Sequence, residues 1–135
     1  MNINYPALYG LTLAFFLLLD GLWLGLIAKN LYATELKGLM TNNVKWGAAV
    51  LFYLLFVAGL IYFVIAPTLK SGAMNQLIIA GGLFGLITYA TYDLTNYATL
   101  KGFSLKIVVL DMIWGTFLSG AVATLAYTAY NKLIG

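Results

Sequence analysis

The sequence predicts an all-α, integral-membrane fold: four transmembrane helices in an up-and-down antiparallel bundle. Three observations carry that expectation. Of the 135 residues, 63% are hydrophobic and only 8% charged, and a soluble domain of this length leaves too much of its chain at the surface to hide such a composition. Four stretches reach the roughly 20 mostly apolar residues needed to cross the hydrocarbon of a bilayer. The breaks between them are short, which makes successive helices antiparallel neighbours.

The first span is expected over residues 6–28, with Asn4 suited to the N-cap and Pro6 to the first turn. The start M-N-I-N-Y-P-A-L-Y-G lacks basic residues and Asp20 interrupts the apolar run, so the segment reads as a retained helix and not a cleaved leader. The second span covers 44–66, preceded by Thr41, Asn42 and Asn43 and stopped at Pro67. The third covers 73–100, opened by Ser71 and closed at Lys101-Gly102. The fourth covers 105–131 and is capped by Ser104. One membrane domain thus occupies residues 1–135. Only the connection from Lys29 to Lys45 is long enough to hold a brief surface helix.

Seven lysines and no arginine give a formal charge of +3, too sparse and scattered for a nucleic-acid surface. Lys29, Lys37, Lys45, Lys101 and Lys106 flank the first and third connections, while Lys70 and Lys132 lie on the other side. By the positive-inside rule, loops 29–45 and 101–106 face the cytoplasm and both termini face out. Cysteine and histidine are absent, so thiolate, haem and zinc sites in their usual ligation are not expected. No lysine lies inside a span, which sets aside a retinal Schiff base. No cofactor is therefore expected.

With the helix ends placed, depth follows from a rise of about 1.5 Å per residue. Asp20 falls roughly 13 Å from the cytoplasmic boundary, Asp93 roughly 12 Å and Asp111 roughly 8 Å. L-L-D-G-L-W-L in the first span and V-L-D-M-I-W-G in the fourth repeat an aspartate three residues before a tryptophan, and Trp23 and Trp114 fall at about 9 and 12 Å. Tyr53 joins the layer from the second span. Three carboxylates on three helices therefore converge at one depth. Each would cost about 2.5–3.5 kcal/mol near the bilayer centre, so all three should point inward and be hydrogen-bonded. An i, i+3 spacing sets each indole beside its own aspartate, supplying a donor with each acid. The third span adds T-Y-A-T-Y-D-L-T-N-Y-A-T-L, where Tyr89, Asp93 and Asn96 form one stripe and Thr88, Tyr92, Thr95 and Thr99 the next. The ligand-binding candidates are Asp20, Trp23, Tyr53, Tyr89, Tyr92, Asp93, Asn96, Asp111 and Trp114.

Other features have plainer readings. Gly81, Gly82 and Gly85 let helix backbones approach closely. Gly21 with Gly25, and Gly115, Ser119, Gly120 and Ala123, read as packing seams. Trp46, Tyr5 and Tyr130 sit near span ends and read as interfacial belt residues. The threonines of the third span can bond back to their own helix, and Glu35 reads as solvated.

The motifs D-x-x-W-L-G, T-Y-D-L-T-N-Y-A-T-L-K-G and V-V-L-D-M-I-W-G-T resemble an uncharacterised bacterial family of small four-helix membrane proteins, classed as a domain of unknown function. The resemblance covers nearly the whole chain. It implies a multi-pass protein of the bacterial inner membrane and supplies neither a substrate nor catalytic residues.

Three functions compete. The first is an intramembrane site for a proton, a cation or a small polar or lipid ligand in a protein whose partner is membrane lipid; if it serves transport a second copy is expected as well, because four helices enclose little volume. The second is an intramembrane enzyme acting on a lipid or isoprenoid, its carboxylates dividing acid and base roles. The third is an accessory subunit whose polar layer pairs with another protein. Whether the protein is an enzyme is left open.

Overall fold

The computed structural model describes residues 2–135. The described residues form five helices: α1 (Tyr5–Ile27), α2 (Lys29–Glu35), α3 (Trp46–Ser71), α4 (Met74–Thr99) and α5 (Leu105–Leu133). All but α2 are long and apolar enough to cross a membrane, so the all-α four-span architecture is as the sequence predicts. The short surface helix expected in the first connection is α2.

Helix ends follow local chemistry. The Asn4 side chain accepts from the Ala7 amide at 3.3 Å with Pro6 in the first turn. Ser104 caps α5 by accepting from the Ile107 amide at 3.3 Å. Pro67 does not stop the second span. Residues Ile61–Ile65 form a π-helical turn in which the Ala66 amide donates to Ile61, and this change of register just before Pro67 lets the helix run on to Ser71 although proline has no N–H to give. It ends at Gly72, whose φ of +76° is the left-handed conformation that glycine adopts at least cost. Ser71 therefore closes α3 and does not open α4, whose first cap residue is Ala73.

The bundle is built around α5, which packs most extensively on α4 and next on α1. On α1 the buried residues are Leu8, Thr12, Phe16 and Asp20, a single stripe at i, i+4 spacing that faces the core. Thr12 is satisfied within its own helix, donating to the Leu8 carbonyl at 2.7 Å. At the other end of the bundle the Asn4 amide donates to the Tyr130 hydroxyl at 2.7 Å. Tyr130 is thus a buried tie between α1 and α5, not a belt residue, whereas Trp46 is 68% exposed.

The α4–α5 seam is made by small residues. A Cβ at Gly85 would lie 2.1 Å from the Gly115 carbonyl oxygen, and one at Gly81 3.3 Å from the Gly120 Cα. Ser119 and Ala123 complete the α5 side of the seam. Backbones this close gain dispersion contacts, the main source of helix association where the surroundings are as apolar as the side chains. Gly21 and Gly25 form no such seam within the chain: open space surrounds both.

α3 joins the bundle by its second half. Gly59 receives the Phe84 ring, and Phe56 packs on Phe16, Phe84 and Tyr89. Before Phe56, nearly every α3 residue is exposed, Tyr53 and Ala49 being half-buried. The two halves of α3 thus have different surroundings.

Gly85→Ala should be strongly destabilising, because the methyl group meets backbone that cannot yield, and overpacking of this kind costs about 1–3 kcal/mol. Gly120→Ala, with its nearest neighbour at 3.7 Å, should be close to neutral. Thermal unfolding of the two variants in the same detergent checks the contrast.

Candidate functional site

The buried stripe of α1 ends in Asp20, and Trp23 follows one turn on. On α5, Asp111 and Trp114 have the same spacing but the helix runs the other way. The two motifs therefore meet face to face. Trp23 and Trp114 stack with ring centroids 4.5 Å apart and planes 9° from parallel, an arrangement worth about 0.5–1.5 kcal/mol beyond the area it buries.

Their donors are crossed. The Trp114 indole N–H donates not to Asp111 but to Asp20 Oδ1 on the opposite helix, at 3.2 Å. The Trp23 indole does not reach Asp20. It donates to the Tyr32 hydroxyl at 3.0 Å, and Tyr32 in turn donates to Asp111 Oδ1. The expected pairing within each motif is thus replaced by pairing between helices, which a stack of two indoles makes possible because each N–H then projects past the other ring. Burial, and then the hydrogen bond to Asp111, hold the Tyr32 phenol well above the usual phenol range, so it keeps its proton and remains a donor at neutral pH.

Asp20, Asp93 and Asp111 are all buried, Asp93 completely. Asp20 has a second neighbour in the Tyr53 hydroxyl, and Tyr53 is held by an edge-on contact with Phe16 at 5.3 Å. Asp93 differs from the other two acids. Among the described residues, no donor reaches either of its oxygens; the group facing it within hydrogen-bonding reach is the carboxyl of Asp111. Ser119, in the α4–α5 seam, also has an unpartnered hydroxyl, but a neutral hydroxyl costs far less to bury than a carboxylate.

Tyr89 lies across α5 at Gly115, where a Cβ would come within 2.3 Å of its ring. It is half-buried beside the layer. Tyr92 sits on the outer face of α4, 59% exposed, with its ring edge-on to Phe103 at 6.4 Å. Asn96 is half-buried next to Tyr92. The structure thus gathers Asp20, Trp23, Tyr53, Tyr89, Asp93, Asp111 and Trp114, and sets Tyr92 and Asn96 at the margin. Three threonines of α4 bond back to their own helix as expected, Thr88 to Phe84 at 2.9 Å, Thr91 to Ile87 at 2.7 Å and Thr99 to Thr95 at 2.8 Å.

Tyr32 is the residue the sequence reading passed over. It lies in K-N-L-Y-A-T-E, outside every span, where depth counting gives no guide. Its signal was the alternation of Leu31, Tyr32 and Leu36 with charged and polar residues, the pattern of a helix lying on an apolar floor. Glu35 is likewise engaged and not merely solvated: it accepts from the Ser104 hydroxyl at 2.8 Å.

Two grooves lie away from this layer. A groove of about 250 Å³ lies between α1 and α3, lined by Tyr5, Tyr9, Ala58, Ile61, Tyr62 and Ala66. Another of about 460 Å³ runs along α4 and α5, lined by Leu86, Val109, Met112, Ile113, Thr116 and Phe117. Both are apolar, and none of the candidate residues lines either. Among the described residues, no three acids are gathered closely enough to ligate one metal ion.

Four spans around a buried, cross-linked carboxylate–indole layer define a small helical membrane protein. The chain belongs to DUF2177, a family described as a predicted membrane protein, which matches residues 5–128. Curated proteins and solved structures give no match to it.

Trp114→Phe keeps the stack but removes the donor to Asp20, and should lower stability by about 1–3 kcal/mol. Trp46→Phe, at an exposed position, should leave stability unchanged. Chemical denaturation followed by far-UV circular dichroism compares the two.

Proposed function

We propose that the polar layer is an intramembrane binding site for a proton, centred on Asp93 and Asp111, in a multi-pass protein of the bacterial inner membrane. The observation that carries the proposal is the isolation of Asp93, whose buried carboxyl faces a second carboxyl and no donor. An unpaired buried charge is too costly to persist in such surroundings. A proton on Asp93, donated to Asp111, resolves that conflict. Asp111 then accepts from two sides, from Asp93 and from Tyr32, and carries the charge.

A small monovalent cation between the two carboxyls is the other occupant of the same chemistry, and measurement separates the two. A bound proton gives a carboxylic C=O band in the infrared spectrum of the purified protein, shifted in D2O and lost in Asp93→Asn. Stoichiometric alkali metal retained by the wild type and lost from Asp93→Asn, with no such band, would assign the site to a cation. If neither signal is present, or neither depends on Asp93, the site reading fails.

The distribution of lysines supports an orientation in which loops 29–45 and 101–106 lie in the cytoplasm and both termini outside. Reporter fusions after residue 38 should then be active only with a cytoplasmic reporter. Fusions at residue 135 should be active only with a periplasmic one.

A further inference from the structure

The helix that carries Tyr32 has little to hold it in place. It has seven residues, no side-chain cap and no buried residue, and an isolated helix of that length does not persist in water. Four attachments fasten it to the bundle. Leu31, Tyr32 and Leu36 rest on Phe103, Ile107 and Val108, a small cluster separate from the main core. Glu35 accepts from Ser104. The Tyr32 hydroxyl accepts from the Trp23 indole and donates to Asp111. Of these, Tyr32 alone reaches the carboxyl layer. Its N-cap residue Ala28 is fully buried, and beyond each end the backbone leaves the regular α-helix. On one side is the π-helical turn Trp23–Ile27, with open space around Gly25; on the other is Gly38 at a φ of +89°.

We propose that α2 is a hinged lid over the Asp93–Asp111 pair and that the Tyr32 hydroxyl is its latch, released when Asp111 loses its charge. This rests on the proton-site reading and adds its regulation. A hydrogen bond to a carboxylate is roughly twice as strong as one between neutral groups. With one proton in the pair, Asp111 is anionic and the latch holds. A second proton neutralises Asp111, the latch weakens, and α2 swings out to open the pair to the cytoplasmic surface. The titratable groups facing Asp111 are Tyr32 from α2, Asp93, Tyr89 and Tyr92 from α4, and Asp20 from α1. Glu35 is the other acid on the lid.

The chain has no cysteine, so two introduced ones can be labelled without background. Spin labels at Thr34→Cys on the exposed side of α2 and Leu125→Cys on α5 measure the lid's distance from the bundle by pulsed electron–electron resonance. In wild type a single short distance is expected at high pH, with a longer population growing as pH falls. Tyr32→Phe keeps the ring and its packing but lacks the latch, and should raise the long population about tenfold at high pH. Glu35→Gln should leave the pH response in place. A wild-type distribution that ignores pH, a response lost in Glu35→Gln, or a Tyr32→Phe distribution identical to wild type would each overturn the latch. Loss of the infrared signal's dependence on Asp93 would instead remove the proton site, and the Tyr32→Phe comparison would still judge the lid.

Discussion

At Gly85 the backbone of α4 comes so near that of α5 that a methyl group would fall 2.1 Å from the Gly115 carbonyl. Much else depends on that approach. It fixes the relative register of two antiparallel helices, and register decides which side chains share a level further along. Two turns beyond Gly85 on α4 is Asp93; one turn before Gly115 on α5 is Asp111. The seam therefore sets the two acids opposite each other. It also leaves Gly115 free of a Cβ, which is where the Tyr89 ring lies. In a bilayer this contact has no hydrophobic effect to support it, so its strength comes from dispersion between surfaces that fit.

The acids illustrate how differently one residue type is treated within one layer. Asp20 is met by an indole N–H and a phenol, and Asp111 by a phenol. Asp93 meets only a carboxyl among the described residues. A layer intended purely for packing would be served by three satisfied acids, or by none, since a polar network that is half satisfied is worse than an apolar one.

The four spans were legible because a bilayer imposes a length and a composition on anything that crosses it. That the aspartates share one level of the bundle followed from the same ruler. What depth does not supply is azimuth. Whether Trp114 serves Asp111 or Asp20 depends on how α1 and α5 rotate against each other, and no count along one chain segment contains that rotation. Tyr32 was out of reach for a related reason: α2 is placed by its contacts with Phe103, Ile107 and Val108, which exist only after the bundle has formed. Pro67 misled because its effect on a helix is cancelled by the π-helical turn before it, and nothing in I-Y-F-V-I announces a change of hydrogen-bond register. Position alone puts Tyr130 at the membrane interface, whereas the amide of Asn4 gives its hydroxyl an internal partner.

The divided surroundings of α3 have a consequence for how its residues are constrained. From Trp46 to Leu55 this helix is covered almost wholly by whatever solvates it, while from Phe56 onward one side of it is part of the core. A side chain in the first half therefore answers mainly to the surroundings of the molecule, and one on the inner side of the second half to the shape of its neighbours. One helix thus carries two different tolerances for change, divided at Phe56.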